Sequence, residues 1–155
     1  MISEGSKAPD FNLPGIDEDG AEKKFSLKDL KGKKVVLYFY PRDNTPGCTQ
    51  EACDFRDNMA KLKKDALVLG VSPDSVESHR KFRDKFGLEF PLLSDADKAA
   101  ANAYGAWGEK TMYGKNSMGI IRSTFLIDEK GVLVKAWRKV KVAGHVDEVL
   151  GAIKG

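Results

Sequence analysis

Apolar positions in the first half of the chain form two continuous runs with a helical stripe between them. The run KKVVLYFYP ends at Pro41, and the second run, DALVLGVS, covers Asp65 to Ser72. Continuous β-rich runs of this length are typical of strands that are buried on both faces of an α/β sheet. Between them, apolar residues recur every three or four positions, as on the buried face of an amphipathic helix: Ala52, Phe55, Met59 and Leu62. The pattern predicts one β-α-β unit.

Short elements with recognisable ends flank this unit. FSLKDLKG predicts a short helix with Ser26 as its N-cap and Gly32 just past its end. SVESHRKFRDKFG predicts a helix that begins after Ser75 and stops at Gly87. EFPLLSD predicts a short strand, and DADKAAANAYG, which is rich in helix-forming residues, predicts a helix that ends at Gly105.

The last third of the chain begins with a glycine-rich segment, AWGEKTMYGKNSMG, which predicts a long loop of the kind that often covers a site. RSTFLIDEKGVLVKAWR predicts a β-hairpin that turns at residues 128–131, and HVDEVLGAIKG predicts a terminal helix with one apolar face. The order of these elements predicts an α/β fold of the thioredoxin-like type, with a mixed central sheet flanked by helices. We expect a single domain over residues 1–155.

Composition and charge narrow the class of protein. The 155 residues are 41% hydrophobic and 32% charged with a net charge of +3, as in a globular domain. Basic residues are scattered among acids and the longest apolar run is short, so we expect neither a nucleic-acid nor a membrane partner. The N-terminus lacks the regions of a secretory signal, so we expect a cytoplasmic protein. In a reducing compartment, a lone pair of cysteines is more often catalytic, redox-sensing or inert than a structural disulfide.

Both cysteines lie in one stretch, YPRDNTPGCTQEAC. Thr45 is a natural N-cap and Pro46 a natural first helical residue, which places Cys48 at the third helical position. A sulfur there lies among unpaired backbone N–H groups at the positive end of the helix dipole, which favours the thiolate. Because a helix needs an N-cap whatever the protein does, the Thr45 hydroxyl is open to a capping role, a catalytic role or both.

Cys53 follows Cys48 by five residues. In an ideal helix, their Cα atoms would be about 8.7 Å apart, and the residues would point about 140° apart around the axis. A disulfide requires a Cα separation below about 7 Å, so an intact helix cannot carry this bond. If the two thiols act together, at least one helical turn must unwind. The alternative interpretation is that one or both cysteines are inert small side chains.

A favoured thiolate with a distant second thiol suits the reduction of a peroxide, in which the first sulfur becomes a sulfenic acid and the second condenses with it. The attack pushes negative charge onto the leaving oxygen, which needs preorganised hydrogen-bond donors. Thr45 supplies a hydroxyl three residues before Cys48. A guanidinium is a further donor of this kind, and position in the sequence does not choose among three candidates: Arg122, Arg42 and Arg56.

The stretch PRDNTPGCTQEAC resembles the peroxiredoxin pattern Pro-x-x-x-Thr-x-x-Cys. The cysteine five residues later and the segment YGAWGEKTMYGKNSMGIIRSTFLID are similar to the bacterioferritin comigratory protein (peroxiredoxin Q) group, and the resemblance covers nearly the whole chain from GSKAPDF onward. It implies a thioredoxin-like fold with Cys48 as the peroxidatic cysteine. It also implies that Cys53 is the resolving cysteine of an intramolecular disulfide and that Thr45 is a donor to peroxide and thiolate.

The same resemblance implies that Pro41 shields the site, that Arg122 supplies the guanidinium and that Glu51 holds an arginine in place. It implies reduction of hydrogen peroxide and organic hydroperoxides without a cofactor, with thioredoxin or a glutaredoxin-like protein as the reductant. No metal is expected, because two cysteines at this spacing and two distant histidines form no recognised zinc cluster. We expect a monomer, although the hairpin edge and the loop after Pro41 leave a dimer open.

Two other functions fit parts of the pattern. One is a thioredoxin-like disulfide reductase or isomerase, against which the absence of a C-x-x-C motif counts. The other is a noncatalytic binding module with the same fold. His79, on an apolar stripe, and His145, near a helix start, are interpreted as structural residues. Four apolar side chains of the glycine-rich segment are open to two interpretations, a cover for an apolar substrate or anchors for the loop: Trp107, Met112, Tyr113 and Met118.

Overall fold

The computed structural model describes residues 2–154 apart from the side chain of Met112; Met1 and Gly155, the ends of the predicted domain, lie outside the described residues. Its strands are β1 (Asn12–Ile16), β2 (Glu22–Ser26), β3 (Lys34–Phe39), β4 (Ala66–Ser72), β5 (Leu92–Ser94), β6 (Trp107–Met112), β7 (Lys115–Ile120), β8 (Ser123–Ile127) and β9 (Leu133–Arg138). Its α-helices are α1 (Pro46–Asp57), α2 (Met59–Leu62), α3 (Val76–Phe86), α4 (Ala99–Ala103) and α5 (His145–Lys154). Within residues 2–154, no helix has the length and apolar character needed to cross a membrane.

Seven strands form one mixed sheet in the order β2-β1-β5-β4-β3-β8-β9. The central strands β3, β4 and β5 are parallel neighbours, whereas the pairings outside them are antiparallel. Parallel neighbours need a crossover connection, and α1 with α2 supplies it between β3 and β4. The predicted β-α-β unit and the predicted mixed sheet flanked by helices are confirmed, but the helix predicted as one stripe is divided at Asn58 into α1 and α2.

The sheet separates two apolar layers. Tyr38 and Val36 of β3 belong to the layer that includes side chains of α1, α3 and α5, whereas Leu37 and Phe39 belong to the layer that includes α4. Alternate side chains of a strand point to opposite faces of the sheet, so a strand with both faces covered is apolar at every position. Burial on both faces explains the continuous apolar run of β3. It also fixes the position at which the following loop leaves β3.

Two predicted helix ends and the predicted hairpin are confirmed. Ser75 is the N-cap of α3, and its hydroxyl accepts a hydrogen bond from the Ser78 backbone N–H at 3.1 Å. Gly87 ends α3 with a left-handed φ of 63°. The hairpin that turns at residues 128–131 is formed by β8 and β9, and the predicted terminal helix is α5.

The helix predicted to start at Ser26 is wrong at its N-terminus. Ser26 is the last residue of β2, and a short 3₁₀ helix covers Lys28–Leu30 instead. The backbone N–H groups of Leu27 and Lys28 donate to the Asp10 carboxylate at 2.9 and 3.3 Å. A side chain distant in sequence therefore supplies the cap that the local pattern assigned to Ser26.

The long loop predicted over AWGEKTMYGKNSMG is also wrong, because this segment forms the β6-β7 hairpin. Tyr113 and Gly114 at its tip have φ values of 54° and 78°, as in a two-residue hairpin turn. Gly108 and Gly119 face each other across the two strands, so glycines that were interpreted as loop signals lie within strands. Among the described residues, the hairpin pairs with no strand of the seven-stranded sheet.

Candidate active site

The candidate site lies where β3 ends and α1 begins. β8 runs antiparallel to β3, and their register places Ser123 opposite Phe39. Arg122, which precedes β8, therefore lies beside the loop that leaves β3 through Pro41. α1 begins directly after this loop, at Pro46. Strand pairing thus brings Arg122 to a helix that lies far from it in sequence.

Cys48 occupies the third position of α1 and is 2% exposed. Its Sγ accepts a hydrogen bond from Arg122 Nη2 at 3.3 Å. The Thr49 N–H donates to the Thr45 carbonyl at 2.8 Å, but within residues 2–154 the N–H groups of Gly47 and Cys48 have no acceptor. These groups remain donors at the positive end of the helix dipole. The guanidinium and the helix start together favour a negative sulfur.

Glu51 lies one turn after Cys48 and is fully buried. Its Oε1 accepts a hydrogen bond from Arg122 Nη1 at 2.6 Å, so the guanidinium contacts the carboxylate and the sulfur at the same time. Burial raises the pKa of Glu51 to about 7, and the charge of Arg122 opposes this rise. Glu51 Oε2 has no partner among the described residues, so one oxygen of the carboxylate carries the whole contact.

Thr45 has the extended backbone of an N-cap, with φ −104° and ψ 156°, which confirms its predicted position. Its side chain does not cap the helix, because no described N–H of α1 donates to it. The hydroxyl donates instead to the Arg42 carbonyl at 2.9 Å. The predicted donation to Cys48 is therefore absent from this state: the hydroxyl hydrogen is directed at the loop, and the oxygen keeps its acceptor lone pairs.

The three candidate arginines have separate environments. Arg122 hydrogen-bonds to the sulfur at 3.3 Å. Arg42 is exposed, and its carbonyl accepts the hydrogen bond of the Thr45 hydroxyl within the loop. Arg56 donates to the Asp57 carboxylate at 3.0 Å and to the Phe86 carbonyl at 2.7 Å. Arg122 is therefore the guanidinium beside the candidate nucleophile, as the resemblance implied.

Cys53 lies in the middle of the same helix and is half-buried. Both thiols are free, and α1 is continuous from Pro46 to Asp57. With regular helix geometry, the two cysteine Cα atoms are roughly 8.7 Å apart, beyond the reach of a disulfide. The structure therefore represents a dithiol state, from which a Cys48–Cys53 bond requires α1 to unwind.

A cleft of about 520 Å³ opens beside Arg122, and the half-buried Pro41 also lines it. The rest of its walls is formed by Ile121, residues 109–111 of the β6-β7 hairpin and residues 139–140 after β9. Burial lowers the pKa of Lys110 in this wall, and the charge of Arg122 lowers it further. The segment predicted as a covering loop therefore does border the site, although it does so as a hairpin.

The apolar side chains of this hairpin have different environments. Trp107 packs against the core, as an anchor would. Tyr113 is 98% exposed and Met118 is 57% exposed, which does not fit a cover over a substrate. The side chain of Met112 lies outside the described part of the chain. The hairpin borders the cleft through the polar and charged residues 109–111.

Gly47 contributes to the site by lacking a side chain. A Cβ atom at this position would lie 3.2 Å from Arg122 Nη2, which is closer than ordinary van der Waals contact. The sequence interpretation treated Thr-Pro-Gly only as the start of a helix. It missed this role because the crowding atom belongs to a residue far along the chain.

A buried polar network, which the sequence interpretation also missed, holds the loop between β3 and α1. The Asp43 carboxylate accepts hydrogen bonds from the Tyr40 hydroxyl at 2.6 Å and the Ser78 hydroxyl at 2.8 Å, and it lies 2.8 Å from His79 Nδ1. His79 Nε2 lies 2.8 Å from the Leu93 carbonyl oxygen. His79 is structural, as predicted, and its contacts connect the loop to α3 and β5.

His145 begins α5 and is buried, with its Nε2 at 2.8 Å from Thr124 Oγ1. Burial lowers the pKa of His145. Its position supports the predicted structural role. Throughout residues 2–154, no group of three or more His, Cys, Asp or Glu side chains is arranged to hold a metal ion.

The fold and the site define an α/β domain in which an arginine contacts a buried cysteine at a helix start. Comparisons with known proteins place this domain in a family. The AhpC/TSA family model matches residues 5–136. A putative peroxiredoxin bcp from Coxiella burnetii is 54% identical over 153 residues, which cover 98% of this chain and 99% of that protein. Peroxiredoxin Bcp from Bacillus subtilis is 53% identical over 154 residues, which cover 99% and 96% of the two chains.

Among solved structures, the bacterioferritin comigratory protein of Xanthomonas campestris, described for its alkyl peroxide reduction activity, superposes with a TM-score of 0.84 at 48% identity. The match covers 92% of this chain and 90% of the other. The chain therefore belongs to the AhpC/TSA family, and within it to the peroxiredoxins of the bacterioferritin comigratory (peroxiredoxin Q) group. The resemblance and the thioredoxin-like fold predicted from the sequence are confirmed.

Proposed function

We propose that this chain is a thiol-dependent peroxidase that reduces hydrogen peroxide and organic hydroperoxides, with Cys48 as the peroxidatic and Cys53 as the resolving cysteine. The observation that carries the proposal is the double contact of Arg122, at 3.3 Å from Cys48 Sγ and 2.6 Å from Glu51 Oε1. A guanidinium in this position favours the thiolate and is preorganised for the negative charge that develops on the leaving oxygen.

In the first step, the Cys48 thiolate attacks the hydroxyl oxygen of a hydroperoxide, so that an S–O bond forms and the O–O bond breaks. Sulfur is oxidised to a sulfenic acid that retains the hydroxyl hydrogen, and the peroxide is reduced. The leaving hydroxide or alkoxide takes its proton from water. Arg122 and the N–H groups of Gly47 and Cys48, which have no acceptor among the described residues, are the donors for the developing charge.

The cleft beside Arg122 is the proposed route of the substrate, and Pro41 in its wall shields the sulfenic acid from bulk water. A cleft of about 520 Å³ has room for an alkyl group in addition to the peroxide. The alkyl peroxide reduction described for the Xanthomonas relative supports organic hydroperoxides as substrates.

In the second step, the Cys53 thiol attacks the Cys48 sulfenic sulfur, an S–S bond forms and water leaves. This step follows the unwinding of α1 that disulfide geometry requires. Thioredoxin or a glutaredoxin-like dithiol protein then reduces the disulfide and is itself oxidised. One chain supplies both cysteines, Arg122 and Glu51, which supports a monomer as the working unit.

The test is intact-mass analysis and peptide mapping of the wild type, Cys53→Ser and Cys48→Ser after one equivalent of hydrogen peroxide, with a sulfenate trap present. We expect a Cys48–Cys53 disulfide in the wild type and a trapped sulfenate on Cys48 in Cys53→Ser. Cys48→Ser should remain unmodified. Unmodified Cys48 in both other proteins would contradict a peroxidase, and rapid insulin reduction by the same preparation would favour a disulfide reductase.

A further inference from the structure

The peptide between Arg42 and Asp43 is held on both sides. Its carbonyl oxygen, on Arg42, accepts the Thr45 hydroxyl hydrogen at 2.9 Å. Its N–H, on Asp43, donates to Asp74 Oδ2 at 2.7 Å. A peptide group is planar, so a contact that fixes the N–H also fixes the direction of the carbonyl. Asp74 therefore contacts the N–H, and Thr45 the carbonyl oxygen, of one planar peptide group.

Asp74 is itself anchored. Its Oδ2 accepts the Ser72 hydroxyl hydrogen at 2.7 Å, and its backbone N–H donates to Ser72 Oγ at 3.2 Å. Ser72 ends β4, which is the parallel neighbour of β3. Parallel strands end at the same edge of a sheet, so Asp74 stands beside the loop that leaves β3. A carboxylate that accepts from a backbone N–H makes one of the stronger hydrogen bonds in proteins.

The rest of the loop is arranged around the same peptide. The Asp43 side chain is held by Tyr40, Ser78 and His79, so the residue that contributes the N–H cannot rotate freely. Asn44 follows with a φ of 58°, a left-handed conformation that turns the chain back toward Arg42. This turn allows the Thr45 hydroxyl to reach the Arg42 carbonyl.

We propose that Asp74 is a positioning residue for peroxide reduction: by fixing the Arg42–Asp43 peptide, it directs the Thr45 hydroxyl so that its oxygen faces the peroxide. The hydroxyl has one hydrogen, which the Arg42 carbonyl holds, so the oxygen accepts the hydrogen of the attacked peroxide oxygen. This acceptor orients the peroxide for in-line attack by Cys48. The inference rests on the proposed peroxidase function and adds a residue that does not touch the substrate.

The test is a double-mutant cycle on the second-order rate of Cys48 oxidation by hydrogen peroxide, measured by stopped flow in a Cys53→Ser background. We expect Asp74→Ala and Thr45→Val each to lower this rate about tenfold, the loss for one well-placed hydrogen bond to a charged or reacting group. The double variant should be no slower than Thr45→Val alone, because Asp74 then has no hydroxyl to direct. With Thr45→Ser, which keeps the hydroxyl, the loss from Asp74→Ala should return.

Two controls separate positioning from general support of the fold. The ultraviolet absorbance of the Cys48 thiolate should be unchanged in Asp74→Ala, because Arg122 still donates to the sulfur. Asp128→Ala removes a carboxylate that accepts two backbone N–H groups at 2.9 Å, at the opposite end of β8 from Arg122, and should leave the oxidation rate unchanged. If Asp74→Ala does not fold, Asp74→Asn replaces it in the same cycle and should show a smaller loss with the same coupling.

Independent effects, in which the double variant shows the product of the two single losses, would overturn the inference and leave the peroxidase intact. An unchanged rate in Asp74→Ala would do the same. Failure of the proposed function gives a different result, because Cys48 of the parent protein would then not react with hydrogen peroxide at all.

Discussion

The two cysteines of this protein lie on one helix, five residues apart, in different environments. Cys48 is 2% exposed, contacts a guanidinium and lies at the start of α1 among N–H groups that have no acceptor within residues 2–154. Cys53 is half-buried in the middle of α1, and the hydrogen bonds of its neighbour Arg56 go to Asp57 and to the backbone. The comparison teaches that the helix end and a contact from a distant part of the chain, rather than the residue type, distinguish the two sulfurs.

The surroundings of the two residues differ in the same way. The loop that precedes Cys48 is held to α3 and β5 through Asp43 and His79. Arg122, just before β8, contacts the first turn of α1. The thiol of Cys53 makes no hydrogen bond among the described residues. We therefore expect movement that brings the sulfurs together to be carried by the part of α1 that contains Cys53.

The largest expected effect comes from replacing the sulfur of either cysteine with oxygen. Cys48→Ser should reduce peroxide consumption to the uncatalysed rate, because a serine hydroxyl is not ionised at neutral pH. Cys53→Ser should keep the first oxidation at the wild-type rate and lose turnover with a dithiol reductant. Stopped-flow oxidation and steady-state peroxide consumption measure the two quantities separately. Equal loss of the first oxidation in both variants would contradict the different roles.

The next effect tests Arg122, the residue just before β8 that contacts the Cys48 sulfur. Arg122→Lys keeps a positive charge but loses the planar fork that contacts Cys48 and Glu51 together. We expect the rate of Cys48 oxidation to fall about 10²-fold, the usual loss for one preorganised donor at a developing charge. Arg56→Lys, which alters the arginine nearer to Cys53, is the matched control and should change this rate little. A similar fall in both variants would contradict a specific role for Arg122 in the oxidation of Cys48.

The pH dependence of stability tests the buried carboxylate beside Cys48. The pKa of Glu51 is about 7 in the folded protein, against an ordinary value of 4.5, so the folded chain binds a proton that the unfolded chain releases between these values. The contribution of Glu51 to the free energy of unfolding should therefore fall as pH rises from about 4.5 to about 7, by roughly 3 kcal/mol, and stay constant above that.

Glu51→Gln cannot titrate and should lack this fall, which urea unfolding at a series of pH values measures directly. His145 titrates in both proteins, so its contribution cancels in the difference between the two curves. Asp57→Asn, at the exposed end of α1, should follow the wild-type curve. A constant difference between wild type and Glu51→Gln across this pH range would contradict a raised pKa for Glu51.

The smallest effect concerns the space beside the guanidinium. Gly47→Ala places a Cβ atom 3.2 Å from the present position of Arg122 Nη2 and should displace it from the sulfur. We expect the oxidation rate to fall about tenfold, as for a small misplacement of a catalytic group. Alanine is the better helix former, so thermal unfolding should show no loss of stability. Gly151→Ala in α5, where a Cβ atom meets open space, is the control.

Local pattern was sufficient for the elements that are periodic and continuous. The strand before Pro41, the apolar stripe that spans α1 and α2, and the caps at Ser75 and Gly87 all follow from side chains that lie close together in sequence. Cys48 at a helix start follows in the same way from Thr-Pro-Gly. These predictions succeeded because the decisive interactions lie within a few residues of one another.

The remaining features depend on contacts between distant parts of the chain. Asp10 caps the 3₁₀ helix in place of Ser26, and Arg122 was distinguished from two other arginines by resemblance rather than by pattern. The β1-β2 hairpin was not predicted, because EKKFS has too few apolar residues to indicate a strand. In the β6-β7 hairpin, the glycines that face each other across the two strands give a sequence pattern typical of a loop. In each case, tertiary structure supplies the partner that the local sequence lacks.

The β6-β7 hairpin forms a two-stranded sheet separate from the seven-stranded sheet. Trp107 and Ile120 at its base pack in the core, and residues 109–111 form a wall of the cleft. Among the described residues, neither of its strands pairs with the seven-stranded sheet. Under the proposed function, residues 109–111 border the route of the substrate, and they can change without altering the strand pairing of the seven-stranded sheet. The segment between Ala106 and Ile121 is accordingly a unit that can be exchanged with that of a relative to test substrate preference while Cys48 and Arg122 stay unchanged.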